Sequence, residues 1–156
     1  MEKEKKVRKL NNGGFSLVEL IIVIAIMAIL IGVLAPQYMK YVERSRKSTD
    51  VQNVASIISA LQIYASDPTV TSANALSTGK ITLTTTQTAV GTGNATNNAN
   101  LALDSAGIKQ LGLKSGSWGT DNAALASVDL TVTVDNGTVT VNCTAAPGLV
   151  TGKYDD

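Results

Sequence analysis

Residues 20–35 form an uninterrupted apolar run, and one acidic residue, Glu19, stands directly before it. With Phe15, Leu17 and Val18 the run reaches the roughly 20 residues that an α-helix needs to span a bilayer. On insertion scales an acidic side chain costs roughly 2.5–3.5 kcal/mol near the bilayer centre, and less towards an end. The segment therefore has to lie in lipid or among other apolar helices, and we predict that Glu19 has a polar partner there.

A short basic leader precedes this segment. Residues 1–14 carry five basic side chains and end in Asn11-Asn12-Gly13-Gly14, after which Phe15 begins the hydrophobic sequence. This arrangement resembles the leader of a type IV prepilin. The resemblance implies cleavage between Gly14 and Phe15 by a prepilin peptidase, and N-methylation of Phe15. It also implies that Glu19 sets assembly and register by pairing with the N-terminal amine of a neighbouring subunit, a group with an ordinary pKa of about 7.7–8.0.

The same resemblance implies a fold and a set of partners. The expected fold is α+β, a type IV pilin fold in which one long N-terminal helix packs its C-terminal half on a small antiparallel β-sheet. The implied partners are further copies of this chain in a helical homopolymer, the prepilin peptidase, the assembly platform protein and ATPase, and membrane lipid before assembly. The chain would begin as a single-pass precursor with its N-terminus in the cytoplasm and end in a surface filament, whose use stays open among adhesion, twitching motility, DNA uptake and biofilm formation.

Two other interpretations of the N-terminal segment explain less of it. An ordinary secretory signal peptide needs a small-residue cleavage site, and the best candidate, Val33-Leu34-Ala35, is followed by Pro36. A plain membrane anchor accounts for the length of the apolar run but not for Glu19 or the Gly14-Phe15 junction. The basic leader is in keeping with the positive-inside rule.

The helix that starts at Phe15 is predicted to continue to Ser66, where Asp67-Pro68 ends it. A helix of that length, near 78 Å at about 1.5 Å per residue, is too long for the core of one compact domain. Residues 15–36 are apolar all round, whereas residues 37–66 are amphipathic. The apolar stripe of the second half should lie on a sheet, and its members recur at spacings of three and four: Val51, Val54, Ile58, Leu61 and Ala65.

Pro36 lies in the middle of this helix. Proline has no N–H, and its ring crowds the carbonyl of the residue four positions earlier, here Gly32. We therefore predict a kink or a locally unwound stretch from Gly32 to Pro36. Many pilins also have a glycine eight residues before the proline, but this chain has Ala28 there.

A band of charged residues follows the apolar half of the helix. Two interpretations stay open: a solvated stretch just outside the membrane, in which ion pairs are worth only a few tenths of a kcal/mol, or a set of contacts between packed subunits. The residues of the band are Lys40, Glu43, Arg44, Arg46, Lys47 and Asp50.

Residues 67–156 are predicted to form a globular head. Residues 69–100 are rich in Thr and Asn and read as an exposed loop that contains an edge strand at residues 81–85. A short helix is expected from Asp104 to about Leu111. Two alternating segments within residues 128–143 flank Asp135-Asn136-Gly137 and predict a β-hairpin, and Trp118 is expected at the margin of the core.

Composition argues against catalysis. The chain has no histidine, and its acidic residues are scattered, so we expect no enzyme activity, no metal site and no cofactor. Cys143 is the sole cysteine and cannot form an intrachain disulfide, which favours a Gram-positive source over the disulfide-stapled pilins of many Gram-negative bacteria. Of thirteen basic and twelve acidic residues, the leader holds five and two, so the remaining eight and ten give no basic surface for nucleic acid.

The function that the sequence predicts is that of a structural pilin subunit that polymerises into a type IV pilus filament. A pseudopilin of a type II secretion system, or a pilin of a competence apparatus, is the alternative within the same superfamily. An alternative of another class is a monomeric, membrane-anchored extracellular binding module, for which Glu19 would be dispensable.

Overall fold

The computed structural model describes residues 14–85, 98–108, 112–119 and 124–153. The chain divides into two compact units, Met1–Lys40 and Tyr41–Asp156, which are considered separately below. One helix, α1, spans Leu17–Ala65 and supplies residues to both units.

In the first unit the apolar residues of α1 are not covered by any other part of the chain that the structure describes. The large apolar side chains from Leu17 to Leu34 are between 47% and 72% exposed. Residues 32–36 are helical, so the unwound form of this stretch is not adopted here, and Pro36 lies inside the helix. Because Pro36 has no N–H, the Gly32 carbonyl lacks its usual intrahelical donor, and a bend at this point stays a prediction.

In the second unit the buried face of α1 is centred on Ile57. Val54, Ile57 and Leu61 are 1% exposed or less. The sequence correctly placed Val54 and Leu61 on this face. It predicted Ile58 in the apolar stripe, whereas the structure buries the neighbouring Ile57 fully. The other three predicted members lie at its flanks, where they are partly buried against the core: Val51, Ile58 and Ala65.

The sheet has three antiparallel strands in the order β1-β2-β3: Gly79–Thr84, Ser127–Asp135 and Thr138–Asn142. The predicted edge strand is confirmed as β1, with Ile81 opposite Leu130. Alternate side chains point to one face, as the pleat requires, and are buried with the helix in a single core cluster. The long helix with its small antiparallel sheet confirms the predicted α+β arrangement.

The predicted hairpin is confirmed as β2 and β3. Their connection is the two-residue turn Asn136-Gly137, with φ of +47° and +81°. Both central residues of a type I′ turn need positive φ, which is why Asn-Gly predicts this connection. Val132 lies opposite Val141, and Val134 lies opposite Val139.

The predicted helix from Asp104 to Leu111 is wrong. The structure has α2 at Ala99–Ser105, so Asp104 lies in its last turn rather than at its start. Two features explain the shift. The side chain of Asn98 donates to the carbonyls of Ala73 and Ala75 and fixes where the helix begins. Gly107, at φ +74°, ends it.

The end of α2 has the hydrogen bonds of a Schellman motif. The Gly107 N–H donates to the Asp104 carbonyl at 2.9 Å, and the Ile108 N–H donates to the Leu103 carbonyl at 2.8 Å. A glycine that only weakens a helix when placed inside it is favourable directly after its end, so Gly107 was the signal for the true boundary.

Two smaller features complete the head. A short helix that the sequence did not predict, α3, spans Pro147–Thr151 and buries Leu149.

After α1, the hydroxyl and the N–H of Thr69 both donate to Asp67 and hold the pKa of that carboxyl below its ordinary value. Of the predicted Thr/Asn-rich loop, residues 86–97 lie outside the described residues.

Candidate assembly segment and the buried polar cluster

The helix in the first unit begins with a capping box. The Ser16 N–H donates to Glu19 Oε2 at 2.9 Å, and the Val18 N–H donates to Ser16 Oγ at 3.3 Å. These bonds satisfy two backbone donors that the first turn of a helix leaves without partners. The predicted need of Glu19 for a partner is thus met within the chain in this structure.

Sequence reasoning missed this cap, although Ser16-Leu17-Val18-Glu19 has the spacing that defines it. A carboxylate in the first turn is also favoured by the positive end of the helix dipole. Glu19 is therefore held in a defined place at the start of the apolar segment, whatever else it binds.

The Gly14-Phe15 junction lies just before the cap. Both residues are exposed, and the Phe15 side chain is 93% exposed. No heavy atom of the described chain would lie within 4 Å of a Cβ placed on Gly14. The peptide bond at the predicted cleavage point is thus sterically open to another protein.

The second unit contains a buried carboxylate, Asp50, which is 1% exposed. It accepts three hydrogen bonds from the segment 112–119: from the Lys114 N–H at 2.6 Å, from the Ser115 N–H at 2.9 Å and from the Trp118 Nε1–H at 2.9 Å. A buried charge is tolerated when its acceptor sites are satisfied in this way. Asp50 therefore fixes the segment 112–119 against α1.

Two further residues of α1 contact the same segment. The Ser115 hydroxyl donates to Glu43, whose other carboxylate oxygen lies 3.7 Å from an Arg46 nitrogen. Lys47 is 5% exposed, and its Nζ lies 5.5 Å from the centre of the Trp118 ring, within the range of a cation–π interaction. We call Glu43, Lys47, Asp50, Ser115 and Trp118 the polar cluster.

The polar cluster contains half of the charged band, and the other half is exposed. Glu43, Lys47 and Asp50 face the segment 112–119, whereas Lys40, Arg44 and Arg46 are exposed. Neither interpretation offered by the sequence, a solvated stretch or contacts between subunits, included this intrachain use. The spacing of the sequence could have predicted this intrachain use. Positions 43, 47 and 50 precede the buried positions 54, 57 and 61 at alternating intervals of four and three residues, which places all six on one face of α1.

Cys143 lies directly after β3 and is 1% exposed. The Ala146 N–H donates to its sulfur at 3.3 Å. Burial raises the pKa of the Cys143 thiol above its ordinary value of 9.0, so the protonated form prevails at neutral pH. Its predicted role as a small apolar core residue agrees with this burial. Within the described ranges, no group of three or more Cys, His, Asp or Glu side chains could hold a metal ion.

Comparison with known proteins bears on the N-terminal segment. The family described as the prokaryotic N-terminal methylation motif matches residues 9–35. That range contains the Gly14-Phe15 junction, the capping box and the apolar run. The N-terminal segment of the chain is thus similar to a prepilin-type methylation motif.

The name of one curated relative is consistent with the prepilin motif. The chain is 34% identical over 62 residues to the prepilin peptidase-dependent protein A of Clostridium perfringens (strain 13 / Type A). The match covers 40% of this chain and 44% of the relative, so the chain spans less than half the length of that protein. No solved structure gives a significant match.

The prepilin motif coincides with a helix that is able to cross a membrane. Among the described residues, α1 is long and apolar enough to do so, and none of its apolar window is buried inside the protein. Together with the motif, this helix supports a membrane-anchored precursor.

Proposed function

We propose that this chain is a structural pilin subunit, which polymerises into a type IV pilus filament after leader cleavage and methylation of Phe15. The observation that carries the proposal is the apolar first half of α1, which bears the methylation motif and has no covering protein. Apolar surface of this extent needs lipid or other copies of the same helix around it.

Assembly would exchange the lipid around this helix for neighbouring helices. Lipid tails are as apolar as Leu and Ile side chains, so the hydrophobic term nearly cancels and packing and polar contacts decide the equilibrium. Glu19 would supply the polar contact. A carboxylate accepts hydrogen bonds through both oxygens, so the cap from the Ser16 N–H to Oε2 leaves capacity to bind the Phe15 ammonium of a neighbour.

The remaining partners and properties are part of the same proposal. A prepilin peptidase would cut after Gly14, and a platform protein and an ATPase would drive extraction from the membrane. The subunit itself would carry out no catalysis and bind no cofactor. A surface filament, with adhesion or motility as its use, would be the end product.

The test separates the charge of Glu19 from its cap. In Glu19→Gln the amide oxygen still accepts from the Ser16 N–H, but no ion pair with an ammonium forms, whereas Glu19→Ala loses both. We expect both variants to be cleaved and retained in the membrane, and both to yield far less sheared, high-molecular-weight fibre than the unmodified chain. Intact mass and N-terminal sequencing of each fraction report cleavage and methylation directly.

Each other result has a defined meaning. Normal fibres from Glu19→Ala would refute the role of Glu19. Processed protein confined to a short structure within the cell envelope would favour the pseudopilin alternative. An unprocessed chain that starts at Met1 and stays in the membrane would overturn the proposal in favour of a monomeric, anchored binding module.

A further inference from the structure

The second unit begins with three exposed side chains of a kind found at membrane surfaces. Tyr41 is 66% exposed, Arg44 is exposed, and the Arg46 side chain is 56% exposed. We propose that these three residues, the basic collar, bind acidic phospholipid headgroups while the chain is anchored in the membrane. The proposal rests on the membrane-anchored precursor and not on polymerisation.

The collar follows the apolar run closely in the sequence, so an anchored chain holds it near the bilayer surface. Tyr41 is the sixth residue after Ala35, where the apolar run ends, and Arg44 is the ninth. Along a helix nine residues rise about 14 Å, which is comparable with the depth of the headgroup region plus the reach of an arginine side chain. Tyrosine is enriched at this level because its ring is apolar and its hydroxyl is polar.

The polar cluster makes the exposed charge of this stretch predominantly positive. Four of the six charged residues of the band are basic, and of its two acidic residues Asp50 is 1% exposed and accepts hydrogen bonds from three N–H donors. Glu43 is bonded to the Ser115 hydroxyl and is partly buried. Folding thus removes Asp50 from the surface, whereas Arg44 and Arg46 are exposed.

Arg46 contacts Glu43 at 3.7 Å and is not isolated from it. This exposed ion pair is weak by the usual measure of surface pairs. A guanidinium has five N–H donors and suits bidentate contacts to phosphate, so a phosphate oxygen and Glu43 can be held together. Phosphodiester headgroups therefore match the chemistry of the collar.

A second copy of the chain is a poorer partner for the collar. Among the described carboxylates outside the polar cluster, Asp67 is engaged by Thr69, and Asp129 is engaged by Thr82 and Lys80. The exposed carboxylates Asp104 and Asp135 lie on separate elements, α2 and β2. Complementary negative charge is thus sparse on this protein and dense on an acidic lipid surface.

The experiment uses the full-length chain in phosphatidylcholine vesicles that contain phosphatidylglycerol. Electron spin resonance measures how much spin-labelled phosphatidylglycerol, relative to spin-labelled phosphatidylcholine, is immobilised at the protein. The test variant is Arg44→Gln/Arg46→Gln, which keeps good helix formers in α1. The matched control, Lys80→Gln/Lys153→Gln, removes two exposed cations from other places in the second unit.

We expect the unmodified chain and the control to prefer phosphatidylglycerol, and the collar variant to lose several-fold of that preference. Each cation at a bilayer surface accounts for about fivefold at most. The difference should vanish in about 1 M NaCl, where the Debye length is about 3 Å. The leader contributes equally to all three proteins, and Trp118 fluorescence verifies that each second unit is folded.

Two results would overturn the proposal. The collar variant could retain the preference of the unmodified chain, or the control could lose as much as the collar variant. A collar variant that keeps its lipid preference but yields fewer sheared fibres would instead identify the collar as a contact between copies. The Glu19 variants test polymerisation separately, so failure of one proposal is distinguishable from failure of the other.

Discussion

Asp50 is a buried carboxylate that accepts three hydrogen bonds within the second unit. It joins α1 to three N–H groups that lie 64, 65 and 68 residues further along the chain. A carboxylate in this position is not replaceable by a neutral side chain of similar size. An asparagine amide has an oxygen that accepts but also an NH₂ group that faces donors, and an alanine accepts nothing.

The first prediction concerns this residue. Asp50→Ala leaves two backbone N–H groups and the Trp118 indole N–H buried without an acceptor, and each costs about 1–3 kcal/mol. We expect the free energy of unfolding of the second unit to fall by about 3 kcal/mol or more. The sole cysteine, Cys143, reports unfolding in urea through pulse alkylation of the detergent-solubilised full chain, because its thiol is buried.

Asp104→Ala is the matched control, since Asp104 is exposed on α2. Its effect should stay within about 0.5 kcal/mol, as for most surface substitutions. Equal urea midpoints for the two variants would show that the polar cluster contributes nothing to stability.

At the scale of elements, the hairpin depends on one turn. Gly137 has φ +81° and follows Asn136 at φ +47°. A Cβ on Gly137 would meet no neighbouring atom within 4 Å, so the cost of a side chain there is conformational and not steric.

The second prediction follows from that conformation. Gly137→Ala should lower the free energy of unfolding by about 1–2 kcal/mol, because a left-handed conformation is unfavourable for an L-residue. Gly116→Ala is the control: its Cβ would lie 4.0 Å from Thr85 Cγ2, an ordinary contact, and its φ is not positive. The same Cys143 alkylation assay compares them, and a larger loss for Gly116→Ala would contradict this account of the turn.

At the scale of the whole molecule, α1 serves two environments. Its apolar first part is exposed in this structure, whereas its second part supplies one face of a protein core. Exposed isoleucines occur in both parts: Ile26 in the apolar run is 53% exposed, and Ile63 near the end of α1 is 72% exposed.

The third prediction uses this pair. Ile26→Asp places a charge inside the membrane-spanning segment at a cost of roughly 2.5–3.5 kcal/mol, so a smaller fraction of the chain should remain with the membrane after an alkaline carbonate wash. Ile63→Asp makes the same chemical change on a surface that faces water and should leave the retained fraction unchanged. If both variants were retained equally, the apolar run would not be the anchor.

Local patterns determined most of what could be predicted correctly. The Asn136-Gly137 turn between alternating segments specifies its hairpin because the turn geometry depends on two adjacent residues. The continuous apolar run and the Gly14-Phe15 junction likewise carry their information in neighbouring residues, and the family match over residues 9–35 covers the same stretch. The cap formed by Ser16 and Glu19 depends on residues three apart, so it could have been predicted from their spacing, although it was missed.

The position of α2 could not be found from its own residues alone. Asp104 is a good N-cap by residue type, but the helix starts earlier because Asn98 is tied to the carbonyls of Ala73 and Ala75, more than twenty residues away. Contacts of this kind override local preference because their hydrogen bonds form only when distant segments have already come together.

The sequence by itself determined the apolar helix that is able to cross a membrane, the prepilin motif and the hairpin, because each depends on residues close together in the chain. Only the tertiary structure decided the fate of the charged band. Asp50 and Lys47 are buried against Trp118, whereas Arg44 and Arg46 are exposed. The physical reason is that a charged side chain is buried at a tolerable cost only where other groups of the folded chain form hydrogen bonds or contacts with it. For Asp50 these groups come from residues 112–119, more than sixty residues further along the chain.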